Sequence, residues 1–311
     1  MITERQRIER RNHIGSSDVS ALFTDTDGNS LNPFATALDI WCEKYYNVEP
    51  LDVTEAMARG NRYESVLIQF ARDELHVDID ADPERMNFIC EDHPVFACNL
   101  DGFGYDGKKR FAIEAKTTSL ADEWGEPGTD QVPYTVMLQV HHQMLCANLD
   151  RAYIAALLGG FRLREEIFIV DRDERIINAI IETGEKFWRD HVLTGIPPEQ
   201  SQPGNVDLFK RIVRVPDTYA EVPDDIIAAW EAHKRMATEM KKATDVAFAE
   251  VLKHLGDAEG AHMADGRTLT YFEQNGAARI NRTELKEVYP AVYEAVTSPN
   301  RYRVARIKKA R

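Results

Sequence analysis

Asp101, Glu114 and Lys116 are the residues of this chain whose types and spacing could do hydrolytic chemistry. The run Phe111-Ala-Ile-Glu-Ala-Lys-Thr117 alternates. As a strand it turns Phe111, Ile113 and Ala115 to one face and Ala112, Glu114 and Lys116 to the other. A carboxylate and an ammonium two residues apart are then side by side. Asp101 lies on the preceding run, which folds back through a tight turn expected at Asp106-Gly107. Two carboxylates bind a hard divalent cation through oxygen. Such a cation polarises a phosphodiester oxygen and acidifies bound water. A lysine beside it can orient or help deprotonate that water, or balance charge in the transition state. The Ala115 carbonyl, between two like-facing side chains, is also within reach of an ion. Carboxylates crowded in a partly dry cleft repel, and a cation removes that cost. Solvated hairpins also carry such trios, so the flanking elements decide.

Those elements supply more polar groups. Thr54 caps a helix expected to run to about Leu75, with Ala56, Gly60, Tyr63, Leu67, Ala71 and Leu75 as its apolar stripe. Glu64 adjoins that stripe, either as a third carboxylate aimed into a cleft or as a rim group paired to Arg62 or Arg72. Gly60 inside the helix costs about 1 kcal/mol relative to alanine, so close packing or a nearby backbone is expected there. Residues 133–147 form a helix with Pro133 at its start and Gln139, His142 and Gln143 on a shared polar face. Gln139 can contact the site. His141 and His142 point about 100° apart on a helix and do not readily share an ion. Near the N-terminus, Arg5, Arg7, Arg10 and Arg11 precede Ile14-Gly-Ser-Ser-Asp18, which reads as a helix start capped by Ser16 or Ser17 and able to hold an anion. Pro33 opens a further helix through Trp41.

A second hairpin spans 151–158 and 164–170 around Gly159-Gly160, and a helix follows over 173–193. The organisation expected is a domain over 1–198, a connector over 199–222, and a C-terminal part over 223–311. That part holds a long helix (223–255), a small hairpin, a helix near 283–295 and a basic end. Ile227, Trp230, Met240, Phe248 and Val251 lie along one side of the long helix, so it should pack on the core or on a partner, with Met236 and Met240 as core residues.

The 311-residue chain has a net charge of -14, which argues against a passive, non-specific DNA-binding protein but not against an enzyme with local basic patches. The charge is uneven: 12 acidic and 4 basic residues lie between Glu49 and Asp92, while residues 301–311 hold 6 basic and no acidic ones. No apolar run is long enough for a membrane span and no secretory signal is visible. Cys42, Cys90, Cys98 and Cys146 are scattered and read as free thiols of the cytoplasm.

Four stretches in this order, Gly15-Ser-Ser-Asp18, Arg59-Gly-Asn-Arg-Tyr-Glu64, Leu100-Asp-Gly102 with Ile113-Glu-Ala-Lys116, and Gln139-Val-His-His-Gln143, resemble the YqaJ-like viral recombinase nucleases. These are relatives of the lambda-type alkaline exonuclease in the PD-(D/E)xK superfamily. The similarity covers roughly residues 8–198 and departs at Cys98-Asn-Leu100, where the family's motif proline is missing. The resemblance implies an α/β (α+β) restriction-endonuclease-like core, a mixed central sheet flanked by helices, with a helical plus small-hairpin C-terminal extension. It implies Asp101, Glu114 and the Ala115 carbonyl as metal ligands, Lys116 as catalytic lysine, Glu64 as an accessory acid and Gln139 near the metal or its water. Arg10 or Arg11, with Ser17, would hold a 5′-phosphate. The implied activity is Mg²⁺- or Mn²⁺-dependent 5′ to 3′ degradation of linear double-stranded DNA, leaving 3′ single strands for an annealing protein in recombination. A ring-shaped homotrimer and a phage or prophage setting in a bacterial host are implied as well. Two other readings stay open: an endonuclease or single-strand nuclease of repair or restriction, and a non-enzymatic interaction protein built on the 223–255 helix.

Overall fold

The computed structural model describes residues 10–49, 53–160, 162–199, 205–276, 280–298 and 305–307, in two compact units, Met1–Asp217 and Thr218–Arg311. In the first unit the elements are α1 (Ala37–Tyr45), α2 (Glu55–Leu75), β1 (Ile79–Asp80), β2 (Asn87–Ile89), β3 (Ala97–Asn99), β4 (Gly102–Asp106), β5 (Lys109–Thr118), α3 (Tyr134–Cys146), β6 (Arg151–Leu158), β7 (Arg164–Asp171), α4 (Glu174–Phe187) and α5 (Asn205–Arg211). Strands β1-β4-β5-β6-β7, in that order, make the main sheet, and β2 and β3 pair separately. It is the mixed sheet flanked by helices that the resemblance implies. Strand β5 is antiparallel to β4 and parallel to β6. A parallel pair needs a crossover, and α3 supplies it.

Alternation along β5 divides the two cores as the sequence pattern requires. Ala112 packs with Ile154, Ala156, Phe168 and Val170 against residues of α1, α3 and α4. Phe111 and Ile113 pack with Tyr153 and Ala155 under Leu67, Ile68 and Ala71 of α2. With both faces covered, helix overhangs and strand ends are what remain for chemistry.

Local chemistry sets the element ends. Thr54 accepts from the Met57 N–H and starts α2 as expected, and His76 in the left-handed region ends it. Helix α1 begins later than Pro33 suggested: Thr36 and Asp39 form a reciprocal capping box. The β4–β5 turn sits one residue further on than Asp106-Gly107. Asp106 still pairs with Lys109, leaving Gly107-Lys108 as the loop with Gly107 at φ +61°. Residues 205–211, placed in the connector by composition, form α5, whose Leu208 joins the main core with Ile212 just beyond.

The second unit holds α6 (Asp224–Leu255), β8 (Gly260–His262), β9 (Thr268–Thr270), α7 (Arg282–Val288) and α8 (Pro290–Val296). Pro290 splits the single helix expected near 283–295 into two, because it cannot continue the hydrogen-bond ladder. Of α6 only Leu255 is buried. Met236 and Met240 are exposed rather than in a core. Most of the basic end, 301–304 and 308–311, lies outside the described residues. Among the described residues no helix is long and apolar enough to cross a membrane, and all four cysteines are free thiols.

The Gly15–Asp18 segment does not start a long helix. Only a single 3₁₀ turn, Val19–Leu22, follows, without a side-chain cap. Asp18 is instead the centre of a buried charge cluster. Its carboxylate takes Lys44 Nζ at 2.6 Å, Arg10 Nη2 at 2.8 Å and the Gly15 N–H at 3.1 Å. Arg10 also donates to Ser17 Oγ at 2.8 Å. Burial alone would raise the Asp18 carboxyl, but Lys44 and Arg10 together hold it well below the usual carboxylate range. Next to it His142 is fully buried. Its Nε2–H donates to the Ile14 carbonyl at 3.1 Å, which leaves Nδ1 to accept from the Cys146 thiol. Burial pushes its pKa down to about 4.

Two stability effects follow. Asp18→Asn leaves Lys44 buried without its charge partner and should cost about 3–5 kcal/mol in denaturant unfolding. Acidification acts earlier, through His142. The unfolded imidazole binds a proton near pH 6.5 and the folded one near 4, so stability is full above 6.5 and falls as pH drops toward 4, by up to about 3 kcal/mol. The depressed Asp18 carboxyl adds a further loss below roughly pH 4.

Candidate active site

Glu114 is 4% exposed and would be untenable without donors. Its Oε1 takes Lys116 Nζ and Gln139 Nε2, each at 2.7 Å, and its Oε2 takes Gln143 Nε2 at 2.6 Å. Lys116 Nζ also donates to Gln139 Oε1 at 2.8 Å, closing a triangle. Gln139 and Gln143 are four residues apart on α3, hence on one face, and that face lies on the Glu114 side of β5. The polar face expected on this helix is therefore turned inward, with His142 and Gln143 buried. A carboxylate offers about four lone-pair directions. Both on Oε1 and one on Oε2 are taken, which leaves one.

Asp101 sits in the bend between β3 and β4, where β4 no longer covers the edge of β5. Its Oδ2 accepts the Ala115 N–H at 2.8 Å. In a strand the N–H and C=O of one residue point to the same edge, so the Ala115 carbonyl is turned toward Asp101 as well. Burial drives the Asp101 carboxyl well above the ordinary range, and the Glu114 charge adds to this. The Ala115 N–H opposes the rise, Glu64 adds to it, and Lys116 opposes it. Asp101, Glu114, Ala115, Lys116 and Thr117 line an open cleft of ≈ 330 Å³ with Met57, Gly60, Asn61, Glu64 and Leu67 of α2.

The sequence-derived residues thus fall into two groups. Asp101, Glu114, Ala115, Lys116 and Gln139 meet directly, and Glu64 faces the same cleft. Arg72, one partner considered for Glu64, instead donates to the Ile79 carbonyl at 2.8 Å. Among the described residues no three His, Cys, Asp or Glu side chains converge closely enough to hold an ion, so Glu64 does not complete a three-carboxylate cluster with Asp101 and Glu114. The donors that suit a hard cation are two carboxylates and a carbonyl. The other group is Arg10 and Ser17, joined through Asp18. Arg11 is half-buried beside them, its Nε without a hydrogen-bond partner among the described residues. Helix α3 touches both groups, Glu114 through Gln139 and Gln143, and the N-terminal segment through His142.

Sequence reasoning missed two residues. Gln143 was assigned only to a polar face, although its spacing from Gln139 already put both amides over one carboxylate. Lys44 lies 26 positions from Asp18 with no local signal linking them. The histidines are structural: His141 Nδ1–H donates to the Met137 carbonyl at 2.8 Å and its Nε2 accepts from the Asp173 N–H. Among the described residues Gly60 has no packed neighbour, contrary to expectation; apart from its own helix backbone, a Cβ there would meet nothing within 4 Å.

The family model for the YqaJ-like viral recombinase domain matches residues 8–150. Over 317 residues the chain is 26% identical to the uncharacterised protein YqaJ of Bacillus subtilis (strain 168), covering 97% of this chain and 93% of that one. Among solved structures, an alkaline exonuclease (LHK-Exo) from Laribacter hongkongensis shares 17% identity at a TM-score of 0.49, covering 62% of this chain and 94% of its own. A phage related exonuclease from Haemophilus somnus 129PT shares 13% at 0.43, covering 59% and 96%. The matched span contains Asp18, Asp101, Glu114, Lys116, Gln139 and Gln143, so these residues all lie in the part of the chain that is similar to the YqaJ-like viral recombinase domain.

Proposed function

We propose that this protein is a metal-dependent deoxyribonuclease, an exonuclease that hydrolyses linear double-stranded DNA from 5′ to 3′ and leaves 3′ single strands for recombination. The observation that carries the proposal is the closed Glu114–Lys116–Gln139 triangle beside a half-buried Asp101 on one open cleft. Asp101, Glu114 through its remaining lone pair, and the Ala115 carbonyl would hold Mg²⁺ or Mn²⁺, with Glu64 as an outer carboxylate. When bound, the ion would supply Lewis-acid polarisation of the phosphodiester and a more acidic water. Lys116, fixed by Glu114 and Gln139, is aimed to orient the attacking water or to balance charge building on the phosphate. Gln139 and Gln143 keep Glu114 from rotating. Arg10, Arg11 and Ser17 would receive the terminal phosphate: Asp18 occupies only part of the five-donor guanidinium of Arg10, whose side chain is 38% exposed. The alkaline exonuclease and phage related exonuclease among the structural likenesses agree with this reading in name. A single-strand annealing protein and a homotrimer complete the proposal.

Asp101→Ala and Glu114→Gln should each abolish Mg²⁺-dependent digestion of an end-labelled linear duplex while DNA binding persists; digestion by both variants would remove them as ligands. Lys116→Ala should slow the chemical step by about 10²–10⁴-fold.

Gln143→Leu keeps the side-chain volume but frees Glu114 Oε2. A loss of about 10–100-fold is expected, together with a higher Mg²⁺ concentration for half-maximal rate, which a purely structural role would not produce.

Closed circular DNA should survive and linear DNA should not, and a 5′-phosphate end should be cut faster than a 5′-hydroxyl end. Digestion of circles would favour the endonuclease reading, and equal rates on both ends would release Arg10, Arg11 and Ser17 from end binding.

A further inference from the structure

Helix α2 is 21 residues long, yet only Leu67, Ile68 and Ala71 are buried. Its first three turns stand beyond the sheet and wall the cleft, and Gly60 sits in the middle of that overhang. A glycine inside a helix is destabilising relative to alanine, so its presence calls for a reason. The ordinary ones fail here. Gly60 is not among the residues with positive φ. It is far from the helix end at Leu75. Among the described residues, and apart from its chain neighbours and its own helix backbone, nothing lies within 4 Å of the Cβ it lacks. Other glycines of the fold are explained by such neighbours: a Cβ on Gly184 would meet the Phe96 ring at 2.3 Å, and one on Gly104 would meet the Asp78 carbonyl at 2.6 Å.

A position bare without an internal cause is bare for something outside the chain. Glycine is used where a ligand must approach a backbone closely, and Gly60 shares its cleft with Asp101, Glu114 and Lys116. We propose that Gly60 is a clearance position: it keeps the wall of α2 open so that the sugar–phosphate backbone of a nucleic-acid strand can lie against the helix beside Asp101 and Glu114. This rests on the nuclease reading above. Neighbouring polar groups suit that occupant, since Asn61 lines the cleft and Lys116 supplies a cation. The apolar wall that a packed protein helix would want is limited to Met57, Leu67 and Ala115. Any side chain at 60 would project into space the strand needs, and a larger one would take more of it.

The test uses Gly60→Ala and Gly60→Leu in the full chain. Both replacements are better helix formers, and neither meets an internal neighbour, so the melting temperature should hold or rise by a few degrees. The KM for linear duplex DNA should rise about 2–5-fold for alanine and more than 10-fold for leucine, estimates on the scale of one and several blocked methyl-sized contacts. The kcat and the Mg²⁺ requirement should stay as in the parent protein. Binding of a fluorescent duplex with Ca²⁺ in place of Mg²⁺ gives the same order without cleavage. Unchanged KM and binding in both variants would overturn the proposal while leaving the nuclease intact. A lowered melting temperature in both would overturn it too, by revealing an internal reason for the glycine. A change of oligomeric state in light scattering, with KM unaffected, would assign the bare surface to a second copy of the chain instead. If the parent protein neither binds nor cuts linear, circular or single-stranded DNA, the nuclease reading fails and this proposal falls with it.

Discussion

A carboxylate buried in the middle of a sheet governs this structure. Glu114 is acceptable there only because three donors from two elements reach it, one from its own strand and two from α3. That requirement fixes much else. The two glutamines must be four apart on one helix, and the helix must lie on the Glu114 face of β5. A crossover between parallel β5 and β6 puts α3 there. The site is a consequence of the βαβ connection as much as of the residues that line it.

The opposite face has a different task. Phe111 and Ile113 close against the C-terminal half of α2, which anchors that helix and leaves its first three turns cantilevered. Because the anchor is apolar and the overhang is not packed, the cleft wall can carry groups chosen for a ligand rather than for the fold. Glu64 and Gly60 both lie on that overhang. Asp101 reaches the cleft from the other side for a related reason: β4 begins only at Gly102, so the edge of β5 at Ala115 is left for a side chain to pair.

What could be read from the sequence was what local spacing controls. The two-residue period of β5 divided the cores correctly, Thr54 started α2, and the Asp101–Glu114–Lys116 trio came together with Gln139. Thr36-Ala-Leu-Asp39 carried a readable capping signal, yet Pro33 drew attention to the wrong start; a reciprocal cap satisfies two donors, which proline cannot do. The Gly15–Asp18 segment misled for a deeper reason. Serines and an aspartate before apolar residues look the same whether the acid caps a helix or is drawn into the core by a distant lysine. Lys44 decides between these, and nothing in the local pattern announces it. The exposure of α6 was equally hidden, because an apolar stripe states a preference for burial and not whether a surface is present to satisfy it.

Strand β5 shows where the molecule spends its stability. At its beginning every charge is answered: the Arg110 N–H meets Asp150 at 2.8 Å, Lys109 and Arg151 share Asp171, and the Tyr153 hydroxyl donates to Asp106 at 2.8 Å. At its other end Asp101 is pushed toward protonation by desolvation, and among the described residues Gln143 Oε1 has no partner and a helix beside it carries a glycine that no neighbour explains. These features come from different elements and different kinds of physics, a desolvated carboxyl, an unmade hydrogen bond and a helix propensity, and all three are unfavourable to folding. Independent defects have no reason to gather at one end of one strand. Their gathering there is understandable if each is relieved or used by the same bound partners, a cation for the carboxylates and a strand of nucleic acid for the open wall.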